Sequence, residues 1–270
     1  PLRREAEPYG VMTRSTHAIL SLVLMAVAQT SHGGNTKPTH ADVRYSDAYD
    51  RSTLDFWQAP GPRPAPLVVY FHGGGFVQGD KARFRSHRML ARYRRRGVAF
   101  ASVNYPFLKR ATYLDIMKHA AEAIRFLKAR HKAWRIDPQR IAVMGSSAGA
   151  MIAEYLTYWE PLGISACYAH QQPFRSWFLL AAFNPGDPPL VLYTSAAADD
   201  DVHHPKNAKM FKQHCDKVGI DCQLYGTKTN GLPPLPAGTD IETRVMAVFQ
   251  SAWQQADRKP PPNKEKAGTP

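Results

Sequence analysis

Two short runs hold the residues that could do chemistry. Gly145-Ser146-Ser147-Ala148-Gly149 sets a serine between two glycines. A serine hydroxyl becomes a nucleophile when a sharp strand-to-helix turn lifts it clear of the backbone, and flanking glycines let neighbouring backbone pass close to it. His72-Gly73-Gly74-Gly75-Phe76 is the second run. Acyl transfer builds negative charge on an oxygen, and backbone N–H groups must already face that oxygen. Gly74 and Gly75 can supply two such donors, and the N–H of Ala148 a third. Serine and glycine loop together, in this order, point to nucleophilic attack through an intermediate that carries an oxyanion.

The elements that must position these runs follow from hydrophobic patterning. Leu67–Phe71, Val98–Tyr105, Ile141–Met144, Ser165–Ala169, Leu190–Thr194 and Cys222–Tyr225 read as strands, after two shorter ones at Asp42–Tyr45 and Thr53–Trp57. Continuous apolar runs of this kind suit strands buried on both faces. Ile116, Ala120, Ala123, Ile124 and Leu127 recur at helical spacing between Tyr113 and Lys128. Further helices are expected from Ala148 to about Trp159, over Pro205–Val218 with Gly219 as the C-cap, and from Asp240 to about Gln254, with Thr239 and Glu242 as a capping box. Asp137-Pro138 reads as a turn. The alternation implies an α/β fold, with a mostly parallel central sheet covered by helices on both faces.

His72-Gly73-Gly74-Gly75-Phe76, Gly79-Asp80, Asn104-Tyr105 and Gly145-Ser146-Ser147-Ala148-Gly149 resemble the hormone-sensitive-lipase-like and acetyl-esterase branch of the α/β-hydrolases. The resemblance covers roughly residues 42–254 and is strongest from Leu67 to about Leu156. It implies a serine esterase for short acyl or acetyl esters, free or linked to polysaccharide, with no metal or organic cofactor. It also implies a triad in the order Ser, acid, His. Matching the family's Asp-x-x-Val pattern selects Asp199 in Asp199-Asp200-Asp201-Val202-His203-His204, with Asp200 its rival. The histidine departs from the pattern. No histidine follows His214, and Asn230 stands where the family carries it. An amide cannot take the serine's proton. Two readings stay open: a base relocated to His203 or His204, or a catalytically impaired hydrolase fold that binds a ligand or partner. His214 reads as structural, and His72 as shaping the glycine loop. The stretch from Ala150 to Pro188 is short for this branch, which implies a reduced lid and an open site.

The chain has 270 residues and a net charge of +13. Residues 29–256 are read as one hydrolase domain, and residues 257–270, with Pro260-Pro261-Pro262, as a disordered tail. A basic start around Arg14, an apolar run from Ala18 to Ala28 and an Ala26-Val27-Ala28 exit read as a signal peptide within residues 1–28, hence an exported protein with no membrane span after its removal. Lys81, Arg83, Arg85, Arg88, Arg92, Arg94, Arg95 and Arg96 crowd one expected helix, as a solvated face or an attractor of anionic polymers. No nucleic-acid motif accompanies them. Cys215 and Cys222 are placed either to bridge or to remain buried thiols, and the sequence leaves the oligomeric state open.

Overall fold

The computed structural model describes residues 37–258. Its centre is an eight-stranded sheet formed by β1 (His40–Arg44), β2 (Thr53–Trp57), β3 (Ala65–Phe71), β4 (Ala99–Val103), β5 (Ile136–Ser146), β6 (Ala166–His170), β7 (Leu190–Thr194) and β8 (Cys222–Gly226). The spatial order is β1-β2-β4-β3-β5-β6-β7-β8. β2 pairs antiparallel with β1 and β4, and every later pairing is parallel.

Strand residues alternate between two cores, as a period of two requires. Leu67, Val69 and Phe71 of β3 join Val143 of β5 on one face, under α2 (Tyr113–Ala129), α3 (Ala148–Glu154) and α4 (Pro205–Val218). Val68 with Ala142 and Met144 joins the other core, under α1 (Arg88–Arg95) and α5 (Ile241–Arg258). The sheet is therefore covered on both sides, as the alternating pattern predicts.

Several boundaries differ, each for a local reason. Asp137-Pro138 lies inside β5 and does not end the element. The pairing with β3 jumps from Ala65↔Ile136 to Leu67↔Ile141, so an irregularity absorbs the turn, and Asp137 holds it by accepting from the Gln139 N–H. The basic stretch splits into a 3-10 turn, Lys81–Ser86, and α1, because His87 is extended and its Nδ1 caps Met89 N–H. Its cations are only partly solvated. Lys81 is buried against Asp55 and Asp42, Arg85 pairs with Asp55, and Arg88 and Arg92 reach Glu242 of α5. Glu242 is thus engaged by arginines and forms no capping box. Asp240 caps α5 by accepting from Thr243 N–H at 2.8 Å, while Thr239 Oγ1 donates to Pro236 O.

α5 runs on to Arg258, so the first two residues of the expected tail are helical. The remainder of that tail and the signal-peptide segment lie outside the described residues. Cys215 and Cys222 are buried free thiols. No helix among the described residues is long and apolar enough to cross a membrane.

Candidate active site

The Ser147 turn is built by close backbone contact. β5 ends at Ser146 and α3 begins at Ala148, leaving Ser147 at φ 54°, ψ −116°. That region is strained for a residue with a side chain. A Cβ on Gly149 would lie 2.1 Å from Phe71 O, and one on Gly145 would lie 2.0 Å from Gly149 O. Only glycine allows β3, β5 and α3 to converge there. Ser147 N–H donates to His170 O at 2.9 Å, and Ser146 Oγ lies 3.1 Å from His170 Nδ1, so the end of β6 grips both serines. Burial drives the His170 pKa down to about 4, helped by the nearby His203, which keeps that ring neutral.

The glycine loop after β3 is fastened from several sides. Tyr105 Oη donates to His72 O at 2.6 Å and its ring stacks on the His72 ring. Asn104 Oδ1 accepts from Lys81 N–H, and Asn104 Nδ2 donates to Asp80. The Gly79-Asp80 and Asn104-Tyr105 pairs thus close one structure around the loop. Arg51, on the turn between β1 and β2, donates to Gly79 O at 2.9 Å and stands 3.4 Å from His72 Nε2. Nothing in the sequence marked Arg51, since its partners lie more than twenty residues away. His72 is buried, which pushes its pKa down to about 4. Gly74 folds back at φ 124°, where its carbonyl accepts from Val77 and Gln78. Gly75, Ser147 and Ala148 line one cavity. Among the described residues no acceptor takes the N–H of Gly75 or Ala148. Gly74 belongs to the same loop but does not line the cavity.

The histidine facing the serine comes from the loop after β7. His203 Nε2 lies 2.9 Å from Ser147 Oγ. His204 instead caps α4, its Nδ1 accepting from Lys206 N–H. The acid beside His203 is Asp200 and not Asp199. Asp200 Oδ1 stands 3.6 Å from His203 Nδ1 and accepts the N–H groups of Val202 and His203. Those backbone donors, His203 N–H first, hold its carboxyl below the usual carboxylate range. Asp199 is exposed and takes no part in this arrangement. In a run of three aspartates only the turn decides which carboxylate faces the imidazole, and the turn that selects Asp200 is made by its own side chain.

Asn230 has a different occupation. Its Nδ2 donates to Thr194 O at 2.8 Å and Ala196 O at 3.1 Å, and its Oδ1 accepts from Thr227 and Leu232 N–H. It is 3% exposed. The amide ties the loop after β8 to the end of β7 and stands as a fully bonded structural post. His214 is on α4, as expected of a structural residue.

The cavity over Ser147 has a volume of about 480 Å³. Phe76, Tyr113, Met151, Phe174 and Phe178 give it apolar walls, and Arg175 adds one cation. Tyr113, Phe174 and Phe178 are also partly exposed. Serine, imidazole and free N–H donors around such a cavity can open an ester by nucleophilic attack.

Residues 54–162 match the family model described as BD-FAE. Esterase LipI of Mycobacterium tuberculosis is 33% identical over 138 residues, covering 47% of this chain and 42% of its own length. An acetyl esterase of Salmonella schwarzengrund is 28% identical over 102 residues, covering 37% and 31%. The chain spans less than half the length of these relatives. Among solved structures, a truncated carbohydrate esterase from gut microbiota superposes with a TM-score of 0.67 at 14% identity, over 83% of this chain and 98% of the other. The apo form of Thermogutta terrifontis esterase 2 gives 0.60 at 18% identity, over 80% and 93%. At these identities the likeness to solved structures is one of fold.

Proposed function

We propose that the chain, whose relatives and fold are those of α/β-hydrolase esterases, is a serine carboxylic-ester hydrolase of the hormone-sensitive-lipase-like branch with His203 as its general base. The observation that carries this reading is the 2.9 Å separation of His203 Nε2 and Ser147 Oγ. His203 Nε2 takes the proton as Oγ attacks the acyl carbon. The N–H groups of Gly75 and Ala148, with Gly74 behind them, receive the developing oxyanion. His203 then protonates the leaving alcohol, and a water activated by the same imidazole releases the acid. Asp200 keeps a negative charge beside Nδ1, favouring the tautomer with its proton there and the imidazolium that forms during attack.

The open apolar cavity favours short acyl esters whose alcohol portion is bulky, including alcohols carried on a polysaccharide. The apolar run at residues 18–28 supports export of the mature chain, which N-terminal sequencing of protein recovered outside the cytoplasm tests. The impaired-binder reading rested on Asn230, whose four hydrogen bonds account for it without a lost base.

The test is fluorophosphonate labelling of Ser147 read by mass spectrometry, with turnover of nitrophenyl acetate beside it. Rapid stoichiometric labelling is expected in the wild type, none in Ser147→Ala, and a loss of about 10²–10⁴-fold in rate in His203→Ala, with His204→Ala close to wild type. Labelling of His203→Ala at the wild-type rate refutes the assignment.

A further inference from the structure

Behind the nucleophile lies a buried polar cluster that this reaction does not use. Glu154 closes α3, whose first residue follows Ser147, and it is 0% exposed. Gln172, on the loop after β6, is also buried. Gln172 Nε2 donates to Glu154 Oε2 at 3.0 Å and to Ser176 Oγ at 2.9 Å, and Ser176 Oγ donates to Pro173 O. Asn207 Nδ2 reaches Gln172 O at 3.3 Å and Val202 O at 3.2 Å. Val202 O also accepts Phe174 N–H at 2.7 Å. Val202 directly precedes His203. One chain of contacts therefore runs from the helix that starts at the serine to the loop that ends at the imidazole.

Two atoms in this cluster are left over. Glu154 Oε1 and Gln172 Oε1 are both buried without a hydrogen-bond partner. Were Glu154 ionised, both would be acceptors, and two buried acceptors without donors are costly. One proton satisfies both. A hydroxyl at Oε1 donates to Gln172 Oε1, while Gln172 Nε2 already donates to Oε2, closing a ring of two hydrogen bonds between an acid and an amide.

We propose that Glu154 is a neutral carboxylic acid paired in this ring with Gln172, and that it is a positioning residue holding the His203 loop against the Ser147 helix. The surroundings agree. The titratable groups facing Glu154 are the Cys215 thiol of α4, the Cys167 thiol of β6 and the Tyr158 phenol that follows α3, and none is a cation. Burial, the dominant influence, raises the Glu154 pKa well above the carboxylate range. The positioning role rests on the reading of Ser147 and His203 given above, whereas the ring does not.

Two measurements on the full chain decide the matter. The first is the infrared difference between wild type and Glu154→Gln in heavy water at neutral pH. The expected signal is loss of a protonated-carboxyl C=O stretch; loss of an ionised-carboxylate band instead overturns the ring. The second is the fluorophosphonate labelling rate at Ser147. Glu154→Gln can rebuild the ring as an amide pair and is expected to label within about twofold of wild type, since this is a conservative exchange of one donor for another. Glu154→Ala, folded by circular dichroism, is expected to label roughly 10- to 100-fold more slowly, the scale of a misplaced catalytic group. A folded Glu154→Ala at the wild-type rate, or Glu154→Gln as slow as Glu154→Ala, overturns the positioning role. A wild type that does not label brings down the hydrolase reading and the positioning role with it, and the infrared band still decides the ring.

Discussion

Asn230→His puts a histidine where the resemblance to serine esterases leads one to expect it, and the structure expects the exchange to harm the protein. The asparagine amide makes two donations and accepts two N–H groups, all with backbone and three of the four buried. An imidazole offers at most one donor and one acceptor when neutral. Two backbone groups therefore lose their partners, at about 1–3 kcal/mol each, or about 2–6 kcal/mol in total. The amide is packed close against Gly226, where an added Cβ would lie 2.4 Å from Asn230 Oδ1. For a domain of this size each kcal/mol corresponds to roughly 2–4 °C in Tm. Urea denaturation and thermal melting should both register the loss, and nitrophenyl acetate turnover by the folded fraction should stay at or below wild type. A sharp rise in kcat with Tm unchanged would refute this reasoning. It would mean that Asn230 marks the place of a missing base and that the contact of His203 with Ser147 is catalytically idle.

Asp200→Asn keeps an oxygen for the Val202 and His203 N–H groups and removes only the charge. At the observed 3.6 Å separation in partly solvated surroundings that charge supports the imidazolium by on the order of 1–2 kcal/mol. kcat should fall about 5- to 30-fold, whereas Asp199→Asn should leave it unchanged; the opposite ranking in steady-state assays rejects Asp200. The pH dependence of stability follows in part from His72, whose pKa drops to about 4 in the folded chain, as does that of His170. Between the unfolded value near 6.5 and that value, the unfolded chain binds the proton and the native one does not, so stability is lost as pH falls through this window. Unfolding free energies from urea denaturation at pH 7 and about pH 4.5 should differ by roughly 2–3 kcal/mol through His72, and His72→Asn should reduce the slope by that share, leaving the part due to His170; an unaltered slope in the variant excludes His72 as a source.

The parts legible in the sequence were those with local causes. The Ser147 turn announces itself because glycine is the only residue that fits where Phe71 O approaches Gly149, and the strand core because its residues alternate between two packed faces. The parts that misled depend on distant partners or on competition between neighbours. Thr239 and Asp240 can each cap a helix, and the shorter acid side chain wins while Arg88 and Arg92 claim Glu242. Asp199 and Asp200 are chemically identical, and one turn chooses between them. The contact of His203 with Ser147 spans 56 positions of sequence and depends on how one loop folds over the sheet edge, which no spacing rule encodes. Glu154 and Gln172 gave no sign at all, because a single glutamate in an apolar helix looks the same whether it faces water or an amide.

The contacts of Arg51 bear on where this unit should be cut. The recognised family region begins at residue 54. Yet Arg51 supports the glycine loop at Gly79 O, and Asp42 of β1 engages Lys81 and Arg85 beside it. A fragment trimmed at its N-terminal side alone to residue 54 would keep Ser147 and His203 and discard the struts of the glycine loop after β3. The working unit is thus longer at its N-terminal side than the recognisable one, and transplanting or shortening this domain has to carry the first hairpin along.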